Sequence, residues 1–120
     1  MRYLYITAMG FVTLRDEPPL TLTALQDLVG GYLEEIFSTE RVPGATRMAV
    51  LDNEEGVLLN LAPSVRFPQV YSVDGVLRGA VVIMGVDEQG DQTDLTDQQL
   101  ARVTVRSLPG DTFPTLHISD

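Results

Sequence analysis

A chain of 120 residues, 44% of them apolar, has the size and content of one domain that buries its own core, and it holds no apolar run of the ~20 residues that a membrane-crossing helix needs. It has no cysteine, which excludes disulfides, thiolate nucleophiles and cysteine metal sites. Its 17 acidic residues outnumber 8 basic ones, all arginine, and the net charge of −9 repels phosphate, so direct nucleic-acid binding is not expected; the same charge suits solubility or a basic protein surface.

Residues 2–7 alternate, with Tyr3 and Tyr5 on one face and Leu4 and Ile6 on the other, and predict a strand. That N-terminus has no apolar secretory core, which makes a cytoplasmic location the default expectation. A turn around Gly10 and a return over 11–14 complete a hairpin. Pro18 and Pro19 cannot join a ladder, so 15–20 reads as a loop. Thr23-Ala-Leu-Gln26 has the form of a capping box, and Leu25, Leu28 and Val29 then share a helical face, which predicts a helix over 23–29. Gly30 and Gly31 decide where it ends. Inside a helix the pair would cost about 2 kcal/mol relative to alanine. At its end they cost little, because glycine takes the left-handed conformation that closes the last turn. The helix is therefore expected to stop there and hand over to a strand at 32–38. The alternation of that strand is imperfect, and one helix running from 25 through 37 is the competing reading.

A loop with a Pro43-Gly44 turn is expected over 38–46, then a strand over 47–52. Asn53-Glu-Glu-Gly56 reads as a turn in which Gly56 supplies positive φ, with 57–61 as the returning strand of the clearest hairpin in the chain. Pro63 and Pro68 break the connection over 62–75, where a short strand fits at 69–72. The most apolar stretch, 76–86, predicts a central strand over about 79–85. After a polar loop at 87–94, Thr96-Asp-Gln-Gln99 is a second capping box, opening a short helix that ends between Arg102 and Arg106. Residues 107–120 read as a turn followed by an extended tail or edge strand. Together these elements predict one α+β domain: a single mainly antiparallel sheet of about five or six strands with two short helices packed on it. Its sheet edges offer unpaired groups to a second copy, so a homodimer is compatible with the pattern.

Four stretches in order, LQDLVGGYLE (25–34), NEEGVLLNLAPS (53–64), GVLRGAVVIMGVDEQGD (75–91) and LTDQQL (95–100), resemble the bacterial, phage and plasmid family known as domain of unknown function 3846. The resemblance covers about 20–101, and its Val-Gly-Gly-Tyr and Asn-Glu-Glu-Gly elements are the specific ones. Where that family tends to carry Asn in a Leu-Asn-Arg context, this chain has Pro63-Ser64-Val65. The resemblance implies the order of elements, including a strand after the glycine pair, and a mobile-element setting. It implies no reaction.

Candidate chemistry is sparse. No phosphate-loop or dinucleotide string is present, and Gly30-Gly31 follow a helix where phosphate cradles precede one. The acidic run Asp87, Glu88, Asp91, Asp94 and Asp97 lacks calcium-loop spacing. His117, the only histidine, sits near the C-terminus, and Ser64 and Ser72 have no nucleophile-elbow context. No catalytic residue, metal or cofactor is therefore assigned. The leading expectation is a non-catalytic accessory protein that binds a protein partner with a basic surface, in one version by occupying a groove meant for nucleic acid. The alternative is a small-molecule or nucleotide-binding module, its pocket formed by Gly30, Gly31 and Tyr32 with Asn53 and Glu54 of the 53–56 turn.

Overall fold

A computed structural model describes residues 1–40, 45–70 and 75–119. In chain order the elements are β1 (Arg2–Ile6), β2 (Val12–Asp16), α1 (Leu22–Val29), β3 (Leu33–Ser38), β4 (Arg47–Asn53), β5 (Pro63–Arg66), β6 (Val76–Arg78), β7 (Val81–Val86), β8 (Gln92–Thr93), α2 (Asp97–Ala101), β9 (Val103–Arg106) and β10 (Thr115–Ile118). The expected single sheet is two. One, of six strands, runs β2-β1-β7-β4-β3 with β8 paired to the end of β7; the other, of four, runs β6-β5-β10-β9.

The opening hairpin forms as expected, with Leu4 opposite Leu14 and Ile6 opposite Val12. The first helix also ends where the glycines place it. Gly30 is left-handed at φ 82, and its N–H and that of Gly31 both donate to the Gln26 carbonyl. The start is two residues earlier than the capping-box pattern suggests. Thr21 is the N-cap, its hydroxyl accepting the Ala24 N–H at 3.1 Å, and Thr23 lies inside the first turn. β3 then begins at Leu33, so the single-helix reading of 25–37 falls. Its uneven alternation has a cause: the register against β4 shifts between Glu35 and Phe37, and the extra residue lets Ile36 and Phe37 both pack on the same core.

The expected hairpin of 47–52 with 57–61 does not form. Both edges of β4 are taken, one by β3 and the other by β7, so no ladder is left for 57–61. That segment coils on itself instead: Leu59 N–H donates to Glu55 O at 2.8 Å and Leu61 N–H to Gly56 O at 3.0 Å. The left-handed residue there is Asn60, at φ 51, rather than Gly56. The next strand pairs are β5 with β6 and β10 with β9, each strand three or four residues long. Such short strands carry too few alternations to announce a second sheet. β10 is an inner strand, parallel to β5 and antiparallel to β9. The Pro43-Gly44 turn lies outside the described residues, as does part of the strand expected at 69–72; Val70 itself sits in a turn, its N–H donating to Phe67 O.

The second capping box is present in full, with Gln99 N–H to the Thr96 hydroxyl and Thr96 N–H to Gln99 Oε1, each 3.0 Å. The helix stops at Ala101, because from Val103 the chain alternates half-buried and exposed residues as a strand.

Alternation on the first sheet builds two cores. Leu4, Ile6, Met48, Val50, Val81 and Ile83 face the second sheet and meet Val65, Phe67, Leu116 and Ile118 there. Tyr3, Ala49, Val82, Met84 and Val86 face the other way and are covered by Leu25 and Val29 of α1. The order of layers is thus helix, sheet, sheet.

Candidate functional site

The same alternation separates two neighbouring residues at the end of β4. Met48, Val50 and Asp52 share the face toward the second sheet, whereas Ala49, Leu51 and Asn53 share the face toward α1.

Asn53 is buried and acts as a clamp. Its Nδ2 donates to Val29 O at 3.3 Å, one of the carbonyls that a helix end leaves without an internal partner, and its Oδ1 accepts the Glu55 N–H at 2.8 Å. Gly31 is where the chain passes closest to it: a methyl group there would lie 2.8 Å from Asn53 Nδ2. Tyr32 exposes its ring and is held through its backbone, its carbonyl accepting the Glu54 N–H at 2.8 Å. The residues nominated from sequence therefore adjoin one another but open onto different surfaces. Gly30, Gly31 and Tyr32 line a shallow depression with Gln26 and Asp27, while Asn53 and Glu54 contribute to a cleft on the opposite side of the sheet.

That cleft, about 370 Å3, lies at one end of the space between the two sheets. β3 supplies Glu34 and Ile36, β4 supplies Asp52, and the turn after it supplies Glu54, Gly56 and Val57. The second sheet supplies Val76, Leu77 and Arg78 of β6, with Gln69 and Val70 alongside. Gln69 is occupied: its amide donates to Ile118 O at 2.8 Å and accepts from Ile118 N at 2.7 Å, as a strand residue would. The Arg78 guanidinium donates to Leu61 O at 3.2 Å.

Asp52 is the residue of interest. Its side chain is on the core-facing side of its strand, it is 8% exposed, and its Oδ1 is buried without a hydrogen-bond partner. Glu34 stands directly opposite it on β3. Burial, and then the charge of Glu34, push the Asp52 carboxyl up to about 7. Sequence reading passed over it, although the signal was there: an aspartate in phase with Met48 and Val50 is a carboxylate aimed at a core.

The remaining candidates lie elsewhere, and Ser72 is outside the described residues. Ser64 is fully buried and its hydroxyl donates to Leu77 O at 3.4 Å. His117 sits exposed on β10 beside Thr104, Arg106 and Thr115. In the acidic run, Asp87 Oδ1 accepts two backbone N–H groups of its own loop, Asp94 accepts the Arg2 N–H, and Asp97 pairs with the Arg2 guanidinium at 3.0 Å. Among the described residues no three metal-ligating side chains group around one point, and no helix is long and apolar enough to cross a membrane.

The family model described as a domain of unknown function, DUF3846, matches residues 1–107, a wider span than the four stretches that carry the resemblance. No curated protein and no solved structure matches the chain.

Proposed function

Because the chain belongs to the DUF3846 family, which is defined by sequence rather than by an activity, we propose from its surface that it is a non-catalytic module that binds a partner protein through the turn after β4. One observation carries this reading. Val57, Leu58 and Leu59 are consecutive and 78%, 86% and 53% exposed. Val57 and Leu58 would each gain up to about 1.5–3 kcal/mol if fully covered, and the half-exposed Leu59 less; an uncovered run of this kind marks an interaction site. Glu54 and Glu55 precede it, and the whole chain carries a net charge of −9. The matching partner offers an apolar groove with a basic rim, such as a groove that otherwise holds nucleic acid.

Affinity capture from lysate of the source cell, with the wild type and Leu58→Asp side by side, tests this. The expected result is a partner held by the wild type, released as salt rises through a few hundred millimolar, and lost by the variant. A partner retained equally by Leu58→Asp removes the turn from the interface.

A second copy of the chain is the second reading, favoured by β2. Phe11 O and Glu17 N–H bond inward toward β1, so the odd-numbered residues of β2 face its partner and the backbone groups of Val12, Leu14 and Asp16 face outward. Phe11, Val12 and Leu14 are exposed on the same edge. Light scattering on the wild type and on Leu14→Lys checks it: a dimer that the variant converts to monomer supports edge pairing, and a wild-type monomer at high concentration ends it.

A further inference from the structure

The cleft between the sheets shares Glu54 and Val57 with the turn after β4, but Glu34, Ile36, Asp52 and Leu77 belong to the sheets, and Leu58 and Leu59 do not line it. Asp52 Oδ1 is buried there and meets no donor. A buried carboxylate oxygen without a donor is a costly arrangement, which a ligand can relieve by supplying one. Among the described residues, the charged groups around it are Glu34 from β3, Glu54 from the turn and Arg78 from β6, and the Arg78 guanidinium is already committed in part to Leu61 O. Among these residues three carboxyl groups thus face one guanidinium, while Ile36 and Leu77 give the cleft an apolar wall.

We propose that this cleft binds an organic cation, a guanidinium or primary ammonium group on a short apolar stem, whose N–H groups donate to Asp52 Oδ1 and Glu34 while the stem lies against Ile36 and Leu77. A neutral donor would satisfy Oδ1 but leave the two facing carboxylates repelling each other, and an anion would add to that repulsion. The cation can arrive as a free amine or as a basic side chain of another protein; both present the same group. Binding is coupled to a proton. Since Asp52 stays protonated up to about pH 7 and the cation favours its ionised form, the ligand displaces that proton below neutrality. Affinity should rise about tenfold between pH 6 and pH 8 and level off above that.

The experiment is a 1H–15N NMR titration of the whole chain with n-butylguanidinium, with n-butylurea as the uncharged isostere and an end-blocked Gly-Arg-Gly peptide as the side-chain form. The expected result is a set of shifts around residues 34, 52 and 77, tenfold weaker binding at pH 6 than at pH 8, and no comparable binding of butylurea. Asp52→Asn should weaken the complex and abolish the pH step, and Glu34→Gln, at an exposed position, should weaken it several-fold and move the step to lower pH, because the Glu34 charge helps hold the Asp52 carboxyl up. Equal binding of butylurea, equal affinity at the two pH values, or shifts confined to other surfaces overturns the proposal. Tighter binding of butylguanidinium than of the peptide supports a free amine as the source, and the reverse supports a partner's side chain. Leu58→Ala, which removes the apolar side chain without adding charge, should leave the titration unchanged, which keeps failure of this site distinct from failure of the protein-binding turn.

Discussion

Residues 57–61 and 81–86 have similar apolar content and opposite fates. Val81 to Val86 is buried at every position, whereas Val57, Leu58 and Leu59 stand in solvent. Composition does not separate them. Backbone hydrogen bonding does: β7 is paired by β1 on one edge and by β4 on the other, while 57–61 reaches a sheet whose adjacent strand has both edges filled and satisfies its own groups in local turns. Apolarity states what a segment stands to gain from burial; the available ladders decide whether it is buried.

The sharpest way to break this contrast is to shorten one side chain in each run. Ile83 is 1% exposed, and Ile83→Ala should cost about 2–5 kcal/mol from lost transfer energy and the cavity left behind. Leu58→Ala should fall within about 0.5 kcal/mol of the wild type. Urea denaturation of both variants measures the difference, and comparable losses would mean that Leu58 is covered in solution.

Asp52 sharpens the contrast, being a polar residue in the buried phase of a strand. Its carboxyl titrates near 7 in the folded protein against 3.8 when unperturbed. Below the lower value both states are protonated and it contributes no difference. As pH rises from about 4 to 7 the unfolded chain releases the proton first, so folding loses stability, and above 7 the loss is constant. At about 1.4 kcal/mol per pH unit, the ceiling is about 4 kcal/mol. Asp52→Asn should therefore be more stable than the wild type at pH 8 and no more stable at pH 4, read by thermal unfolding at the two pH values. An advantage that does not depend on pH would exclude the titration as its cause.

A smaller effect is expected where the two faces of β4 part. Gly31→Ala places a methyl group 2.8 Å from Asn53 Nδ2 and should cost about 1–3 kcal/mol, since the amide that holds the end of α1 must move. An unaltered melting temperature would show that Asn53 has room to yield.

Much of the fold was legible because its signals are local. The capping box at Thr96, the opening hairpin and the stop at Gly30 depend on residues within a few positions of one another. The second sheet depends on pairings such as Arg66 with Thr115 and Val105 with Leu116, which no local pattern reports, and on strands too short to show a period. The error over 57–61 has the same origin, because the strands that exclude it come from residues 33–38 and 81–86. The candidate site divides likewise. Asn53 and Glu54 were found through the turn they occupy, whereas the signal at Asp52 was only its phase with Met48 and Val50, which gains its meaning from the second sheet that roofs their common face.

The smallest effect on folding should accompany the largest on function. Leu58→Asp replaces the most exposed residue of the apolar run with a carboxylate, and at 86% exposure that side chain keeps its water, so stability should change by less than about 0.5 kcal/mol. An aspartate added beside Glu54 and Glu55 also raises the local negative charge, which would favour a partner recognised by charge alone. Loss of binding in this variant would therefore isolate the apolar contact, while stronger binding would assign recognition to the acidic rim and leave Leu58 without a part in it. Fluorescence anisotropy with the captured partner, at constant ionic strength, distinguishes the two by the sign of the change.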